Sequence, residues 1–347
     1  MNLHFMRREE HWAKVKFLLM PFALLFSSVV RQRRLVYSKG LISSYKAKTP
    51  IISIGNLSVG GTGKTPFTIF LARYLQKKGY SVAVSHRGYR GKYEHETKLI
   101  SDKNSLLPSA SEAGDEPMLL ARNLPGIPVI VGKNRAKAIQ YLENSFSPDI
   151  IILDDSFQHL SVYHDFNFVL FNAQNPFGNG FLLPAGTLRE PLSALRFADC
   201  IVFSNCDQDY EPPTQVKKHG KPIIKSKYTL KEFVAYHNGV TTSTSFFYNK
   251  RVALLSGIGN PCSFEYSIRE CGINFVEHYR FPDHYNYVFS TDIQPIIEES
   301  KERGIEMLIT TEKDFVKMGK IPPTDIPIYY AKLSLHINEP DLQVLPF

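Results

Sequence analysis

Tryptophan occurs once and cysteine four times in 347 residues. The cysteines, Cys200, Cys206, Cys262 and Cys271, form no C-x-x-C pair. That excludes a sequence-readable zinc knuckle or disulfide framework and suits a reducing compartment. Excess charge of one sign is also missing from most of the chain. Residues 1–48 hold ten Lys/Arg against two acids, and the remaining 299 residues balance at 31 of each sign. The overall +8 is thus a property of the N-terminus, which argues against a nucleic-acid-binding face. What is present, 43% hydrophobic and 21% charged residues, is a globular composition, and the length suits two domains.

No apolar run is long enough to span a bilayer. Phe17–Val30 covers 14 residues, 11 of them apolar, with Pro21 inside it, where a spanning helix needs about 20. Lys14 and Lys16 precede this run; Arg31, Arg33 and Arg34 follow it. A secretory signal would be followed by a small-residue cleavage site, not by a basic cluster. Two readings stay open: an interfacial anchor with its cations on anionic phospholipid headgroups, or a helix packed on the domain. The basic flanks favour the membrane surface.

The most specific stretch is Ile51-Ile-Ser-Ile-Gly-Asn-Leu-Ser58-Val-Gly60-Gly61-Thr62-Gly63-Lys64-Thr65. An apolar strand runs into a loop whose glycines let backbone N–H groups face an anion. Lys64 supplies a charge for the β- and γ-phosphates and Thr65 a hydroxyl for Mg²⁺. The following helix has apolar residues at Phe67, Phe70, Leu71, Tyr74 and Leu75 and aims its positive end at the same point. The usual pattern G-x-x-x-x-G-K-[ST] has glycine where this chain has Ser58. The loop implies ATP, or another nucleoside triphosphate, with Mg²⁺.

Strand and helix then alternate to about residue 225, with strands expected at 81–85, 128–131, 149–153, 166–171, 200–203 and 222–224 and helices at 113–124 and 133–144. This predicts a P-loop NTPase-like, largely parallel α/β sheet with helices on both faces and its ligand at the carboxyl ends of the strands. The loops there carry the candidate chemistry. His86-Arg87-Gly88-Tyr89-Arg90-Gly91 offers cations and an aromatic, or is a solvated turn. Gly114-Asp115-Glu116-Pro117 offers a general base, or acids that merely start a helix; by sequence physics the second is favoured. Ile150–Leu153 followed by Asp154-Asp155 is the Walker B arrangement, in which an Asp holds Mg²⁺. Gln158 and His159 follow within five residues. In Leu183–Pro191, Arg189 either neutralises a transferring phosphoryl group or pairs with Glu190 at the surface. Strands are expected at 227–237 and 243–249 as a ribbon, then at 252–255, 274–277 and 307–310, with helices near 261–271 and 290–303. The expected division is an N-terminal membrane-associated helix (1–35), a P-loop kinase domain (36–225), a β-ribbon linker (226–250) and a smaller C-terminal α/β domain (251–347).

These motifs, together with Phe281-x-Asp283-His284 and Thr311-Glu312-Lys313-Asp314, resemble in kind and order the tetraacyldisaccharide 4′-kinase family of lipid A biosynthesis, from the N-terminal segment to about residue 320. The resemblance implies transfer of the ATP γ-phosphate to the 4′-hydroxyl of tetraacyldisaccharide 1-phosphate at the cytoplasmic face of the inner membrane of a Gram-negative bacterium; a monomer is expected. It implies nucleotide contacts from Ser58, Gly60, Gly61, Thr62, Gly63, Lys64 and Thr65, and Mg²⁺ held by Thr65, Asp154, Gln158 and Glu190. Asp115 is implied as catalytic base with His284 as its partner, Lys64 and Arg189 as further catalytic residues, and Arg87, Tyr89, Asp155 and His159 as contacts to the lipid precursor. Three positions depart from the family pattern: Ser156 for Gly, Thr187 for Pro and Tyr285 for His. If the family glycine is left-handed, Ser156 is strained. The competing reading of the loop alone is a P-loop GTPase or ATPase switch at the membrane surface. Its guanine-reading segment would be Ser204-Asn205-Cys206-Asp207, which lacks the usual Lys.

Overall fold

A computed structural model describes residues 3–89, 91–107, 110–319 and 321–346, with side chains throughout except at 3–17, 110, 111, 339 and 340. Arg90 lies outside the described residues, and Lys14, Lys16 and Phe17 lie outside the described side chains.

Among the described residues, thirteen strands join in a single sheet. The first lobe contributes β1 (Ile51–Asn56), β2 (Val82–His86), β3 (Lys98–Ser101), β4 (Val129–Val131), β5 (Ile150–Leu153), β6 (Phe166–Asn172) and β7 (Cys200–Ser204). The chain then makes the long β8 (Ile223–Ala235) and a short β9 (Thr241–Ser243), and the second lobe adds β10 (Val252–Ser256), β11 (Phe275–Arg280), β12 (Met307–Thr311) and β13 (Ile328–Ile337). The order is β11-β10-β12-β13-β8-β7-β6-β1-β5-β2-β4-β3, with β9 paired to β8. Pairings within each lobe are parallel except at the edge strand β3.

The helices are α1 (Leu3–Ser38), α2 (Lys64–Lys77), the short α3 (Ala110–Ala113), α4 (Asp115–Asn123), α5 (Arg135–Phe146), the short α6 (Thr214–Lys217), α7 (Pro261–Glu270), α8 (Gln294–Glu302) and the short α9 (Glu312–Phe315). All six residues of β1 are buried, as expected of a central strand covered on both faces. Ile52 and Ile54 face Phe67, Leu71 and Leu75 of α2 and Met118 and Leu120 of α4, while Ile51 faces Ala138, Ile139 and Leu142 of α5. The second lobe repeats the sandwich, with α8 on one face and α7 on the other.

The expected ribbon and domain boundary are corrected in two respects. Residues 244–247 form a 3₁₀ turn, not a strand, and the main partner of β8 is β13 from the far end of the chain. Beyond β13 the chain returns to the first lobe, where Leu342 is buried in the same core as Ile52 and Phe67. The reason is pairing. A two-stranded ribbon alone is marginal, whereas the antiparallel ladder of β8 with β13 runs from Tyr329↔Ala235 to Ile337↔Ser226 and continues both sheets.

Helix α1 runs without a break through Pro21, and in the described residues no helix is long and apolar enough to cross a membrane. It meets the body along a narrow stripe of Ala23, Ser27 and Arg34, while Leu18, Phe22, Leu25 and Val29 are exposed. Arg34 donates to both carboxylate oxygens of Glu190 and to the carbonyl oxygen of Phe157, at 3.1 Å. Its guanidinium lies 4.2 Å from the centre of the Phe157 ring and 5.0 Å from that of Phe197. Removing one partner of a buried ion pair leaves a charge without compensation. Arg34→Ala is therefore expected to cost about 3–5 kcal/mol in denaturant unfolding, and Arg34→Ala with Glu190→Leu together distinctly less than the two single changes combined.

Candidate active site

The strand order puts the carboxyl ends of β1, β5 and β2 side by side, and each ends in one of the motifs. The β1–α2 loop is stiffened from every side. Asn56 Nδ2 donates to the carbonyl oxygen of Ser58 at 2.7 Å and to Thr62 Oγ1 at 2.9 Å. Ser204 Oγ donates to the Thr62 carbonyl at 3.0 Å and Tyr228 Oη to the Gly63 carbonyl at 3.1 Å. The 183–191 loop runs along its outside, with the N–H of Val59 on the Thr187 carbonyl and that of Arg189 on the Leu57 carbonyl. Gly60 and Gly63 have φ of 115° and 81°, whereas Ser58 is not in the left-handed region, so that position accepts serine. Thr187 fills its place through its carbonyl, which a proline would also supply.

At the end of β5, Asp154 is fully buried and accepts from Thr65 Oγ1 at 3.1 Å. Burial pushes its pKa up, with nearby Lys64 working against that. Asp155 takes the left-handed conformation, φ 49°, and Ser156 does not; Ser156 is unstrained, its hydroxyl bonded to Ser53 Oγ at 2.8 Å and to the Leu153 carbonyl at 2.9 Å. Asp155 stands between Lys64 Nζ (3.5 Å) and Arg189 Nη1 (3.3 Å). Burial opposes its ionisation, but these two cations hold its carboxyl well below the usual carboxylate range. Arg135, fully buried, donates to the Asp154 carbonyl at 2.7 Å and to Ser85 Oγ at 3.2 Å. Sequence reasoning missed it, because nothing in a helix-start arginine signals that its head group reaches two strands away.

The second lobe closes the site. His284 Nδ1 lies 2.9 Å from Asp115 Oδ2, joining residues 169 positions apart. His284 itself sits at φ 62°, with its backbone N–H on Asp283 Oδ1, and Lys313 Nζ is 3.3 Å from that same oxygen. At the other end of α4, Asn123 Nδ2 donates to Glu312 Oε1 at 2.7 Å and its carbonyl accepts from Arg73 of α2. Asp314 is a structural hub: it accepts from Thr311 and Tyr287 and pairs with buried Lys317. Tyr285 donates to Asp292 at 3.1 Å, away from the Asp115 pair. Between the lobes lies a cleft of about 2380 Å³ lined by the P-loop, Arg87, Tyr89, Asp115, Gln158, His159, Asp283, His284 and Lys313, and reached at one end by Phe26, Val29 and Arg33 of α1.

One expected site residue lines the cleft but is already paired. Glu190 is buried, and both its oxygens are occupied by Arg34. It anchors α1, and in this structure neither oxygen is free for a metal ion, which is not what the expected ligand role requires. Gln158 uses its amide nitrogen on the Asn56 carbonyl at 2.8 Å, which leaves its carbonyl oxygen for a ligand.

A model of the family described as LpxK, tetraacyldisaccharide-1-P 4′-kinase, matches residues 15–345. The chain belongs to this family. It is 38% identical to the tetraacyldisaccharide 4′-kinase of Pelobacter propionicus over 93% of its own length and 89% of that protein's. With the enzyme of the same name from Geobacter metallireducens it shares 37% identity over 92% of each chain. The crystal structure of the "apo" form of LpxK from Aquifex aeolicus in complex with ATP superposes with a TM-score of 0.80 at 31% identity, covering 95% of this chain and 97% of that one. The parallel α/β architecture is thus shared with the family.

Two measurements follow from this geometry. A Cβ on Gly63 would lie 1.8 Å from Tyr228 Oη, at a φ that suits only glycine. Gly63→Ala is expected to weaken ATP binding by about tenfold or more in calorimetric titration. His159 and His164 are held neutral, by burial first and nearby guanidinium groups next, with pKa values of about 3 and about 4 against an ordinary 6.5. The unfolded chain takes up these protons near 6.5 and the folded one does not. Their contribution to stability is therefore complete above pH 6.5 and lost as pH falls toward 4. Denaturant midpoints between pH 7 and 5 should fall, and fall less steeply in His164→Gln.

Proposed function

We infer that this chain is an ATP-dependent kinase that transfers the γ-phosphate to the 4′-hydroxyl of tetraacyldisaccharide 1-phosphate, forming the lipid IVA precursor of lipid A. The observation that carries the reading, beside family membership, is the Asp115–His284 pair at 2.9 Å across the cleft from Lys64 and Thr65. In-line phosphoryl transfer asks the protein mainly for positioning and charge. Lys64 and the amides of the Ser58–Gly63 loop hold the phosphates. Asp115 accepts the 4′-hydroxyl proton as that oxygen bonds to the γ-phosphorus and ADP leaves. His284, which bonds to Asp115 through Nδ1, orients the carboxylate and can take over the proton that Asp115 accepts. Arg189 and Arg87 face the transferring phosphoryl group, and Tyr89, Asp155 and His159 the sugar–phosphate head.

Mg²⁺ fits the site by donor chemistry. Thr65 Oγ1 and Asp154 Oδ2 are hard oxygen donors 3.1 Å apart, and Gln158 lines the same cleft as Thr65. Among the described residues no group of three or more Cys, His, Asp or Glu gathers there, and Mg²⁺ bound with nucleotide phosphates needs only one or two carboxylates. Thr65, Asp154 and Gln158 would hold the ion, which would supply positive charge to offset that of the phosphates.

The exposed side chains Leu18, Phe22, Leu25 and Val29 on α1, with Arg31 and Arg33 next to them, support docking on an anionic phospholipid surface. We place the enzyme, as a monomer, at the cytoplasmic face of the inner membrane, where ATP and a tetraacylated substrate meet. A guanine-nucleotide switch finds no support, since Asn205 lacks the lysine that such a loop carries.

The test is label transfer from γ-labelled ATP to tetraacyldisaccharide 1-phosphate in mixed micelles. Wild type should label the lipid. Lys64→Ala should abolish transfer, and Asp115→Asn should lower kcat by about 10²-fold or more while ATP affinity stays within about twofold. Turnover by Asp115→Asn near that of wild type would remove Asp115 as the base. Triphosphate hydrolysis that needs Lys64 but labels no lipid would overturn the kinase reading.

A further inference from the structure

We propose that His86 is a positioning residue for the transfer step, acting through Glu116 on Asp115. The proposal rests on the reading of Asp115 as the base. His86 is the last residue of β2 and is 2% exposed. The N–H of Gly88 donates to its Nδ1 at 2.9 Å. Nδ1 is therefore the acceptor, the neutral ring carries its proton on Nε2, and that N–H donates to Glu116 Oε2 at 3.1 Å. The tautomer is set by one backbone contact, and the side chain is left with a single aimed donor.

What this donor meets is the first turn of α4. That helix begins at Asp115 behind Gly114, which has φ 90° and offers no side-chain cap. A helix start without a side-chain cap relies more on what the side chains of its first residues touch. Here Asp115 touches His284 and Glu116 touches His86. The first contact joins the two lobes and depends on their approach. The second lies wholly within the first lobe, between an extended residue on the rigid sheet and the helix. His86 therefore fixes the turn at the height and rotation where Asp115 points across the cleft, before the second lobe supplies His284. Glu116 is well suited as the handle. The imidazole donor first, and then the nearby Lys64 and Lys313, hold its carboxyl below the usual range, so it stays an acceptor.

Two substitutions separate the halves of the imidazole. In His86→Asn the amide reaches the position of Nδ1, keeping the acceptor for Gly88 and losing the donor to Glu116. In His86→Gln the amide nitrogen reaches the position of Nε2 and keeps the donor. The expected result in the micelle assay is a fall in kcat of about tenfold for His86→Asn, with the KM for ATP within about twofold, and kcat within about threefold of wild type for His86→Gln. Glu116→Met, which keeps the length and removes the acceptor, should show the same loss in kcat at unchanged ATP KM, and the double variant His86→Asn with Glu116→Met should be no worse than either alone. Equal impairment of the Asn and Gln variants, or losses that multiply in the double variant, would overturn the proposal. If His86→Asn fails to fold, judged by its unfolding midpoint, Glu116→Met decides alone, and an unchanged kcat there overturns it. Asp115→Asn is run beside them: near-normal turnover in it refutes the base reading, whereas failure of the His86 pattern with Asp115→Asn inactive refutes only the positioning role.

Discussion

The antiparallel ladder between β8 and β13 is the constraint on which the rest of this structure depends. It joins two parallel sheets of opposite chain direction into one, through nine paired positions from Tyr329↔Ala235 to Ile337↔Ser226. Parallel strands need crossover helices, and those helices occupy both faces of each half. An antiparallel seam needs none, so the space beside it stays open as the cleft. The same seam sets the distance between the lobes and so lets His284 reach Asp115.

The seam also ties the phosphate loop to the second lobe. Tyr228 lies on β8, and its hydroxyl holds the carbonyl of Gly63 at the start of α2. Burial raises the phenol's pKa, so it remains a donor. Glu232 and Lys332, a pair of opposed positions on the seam, line the cleft beside α2. Helix α4 is gripped by the second lobe at both ends, through Asp115–His284 and Asn123–Glu312. Nucleotide loop, candidate base and lobe contact therefore form one mechanical unit, in which a misplaced strand is felt at the reacting atoms.

Charge is distributed to the same end. Asp154 and Asp155 are neighbours with opposite environments. The first is buried against a neutral hydroxyl, and burial raises its pKa; the second stands between Lys64 and Arg189, which hold its pKa down. One is prepared to gain a cation and the other already has two. Arg34 and Glu190 satisfy each other at the root of α1. An apolar helix is thereby fastened to the body by a polar contact, which leaves Leu18, Phe22, Leu25 and Val29 outside.

The local signals were legible in the chain alone. Strand, glycine loop, Lys64-Thr65 and an amphipathic helix are a short-range pattern, and so is an apolar strand ending in Asp154. Apolar runs between helical segments placed most strands of both lobes within a residue or two, because buried parallel strands read as apolar runs. The order of motifs also carried the family. Sequence could not decide which distant segments meet. Nothing local assigns β13 to β8, returns Leu342 to the first core, or sends Arg135 to the Asp154 carbonyl. Glu190 beside Arg189 read as a site acid until Arg34, 156 residues away, was seen to occupy it. His86 read as one cation among several in a polar loop. Its role depends on a backbone N–H two residues on and on a carboxylate 30 residues away, so only the folded chain assigns its proton. Residue types and spacing specify what chemistry a segment can offer; burial and long-range pairing decide which partners it finds, and so which chemistry it performs.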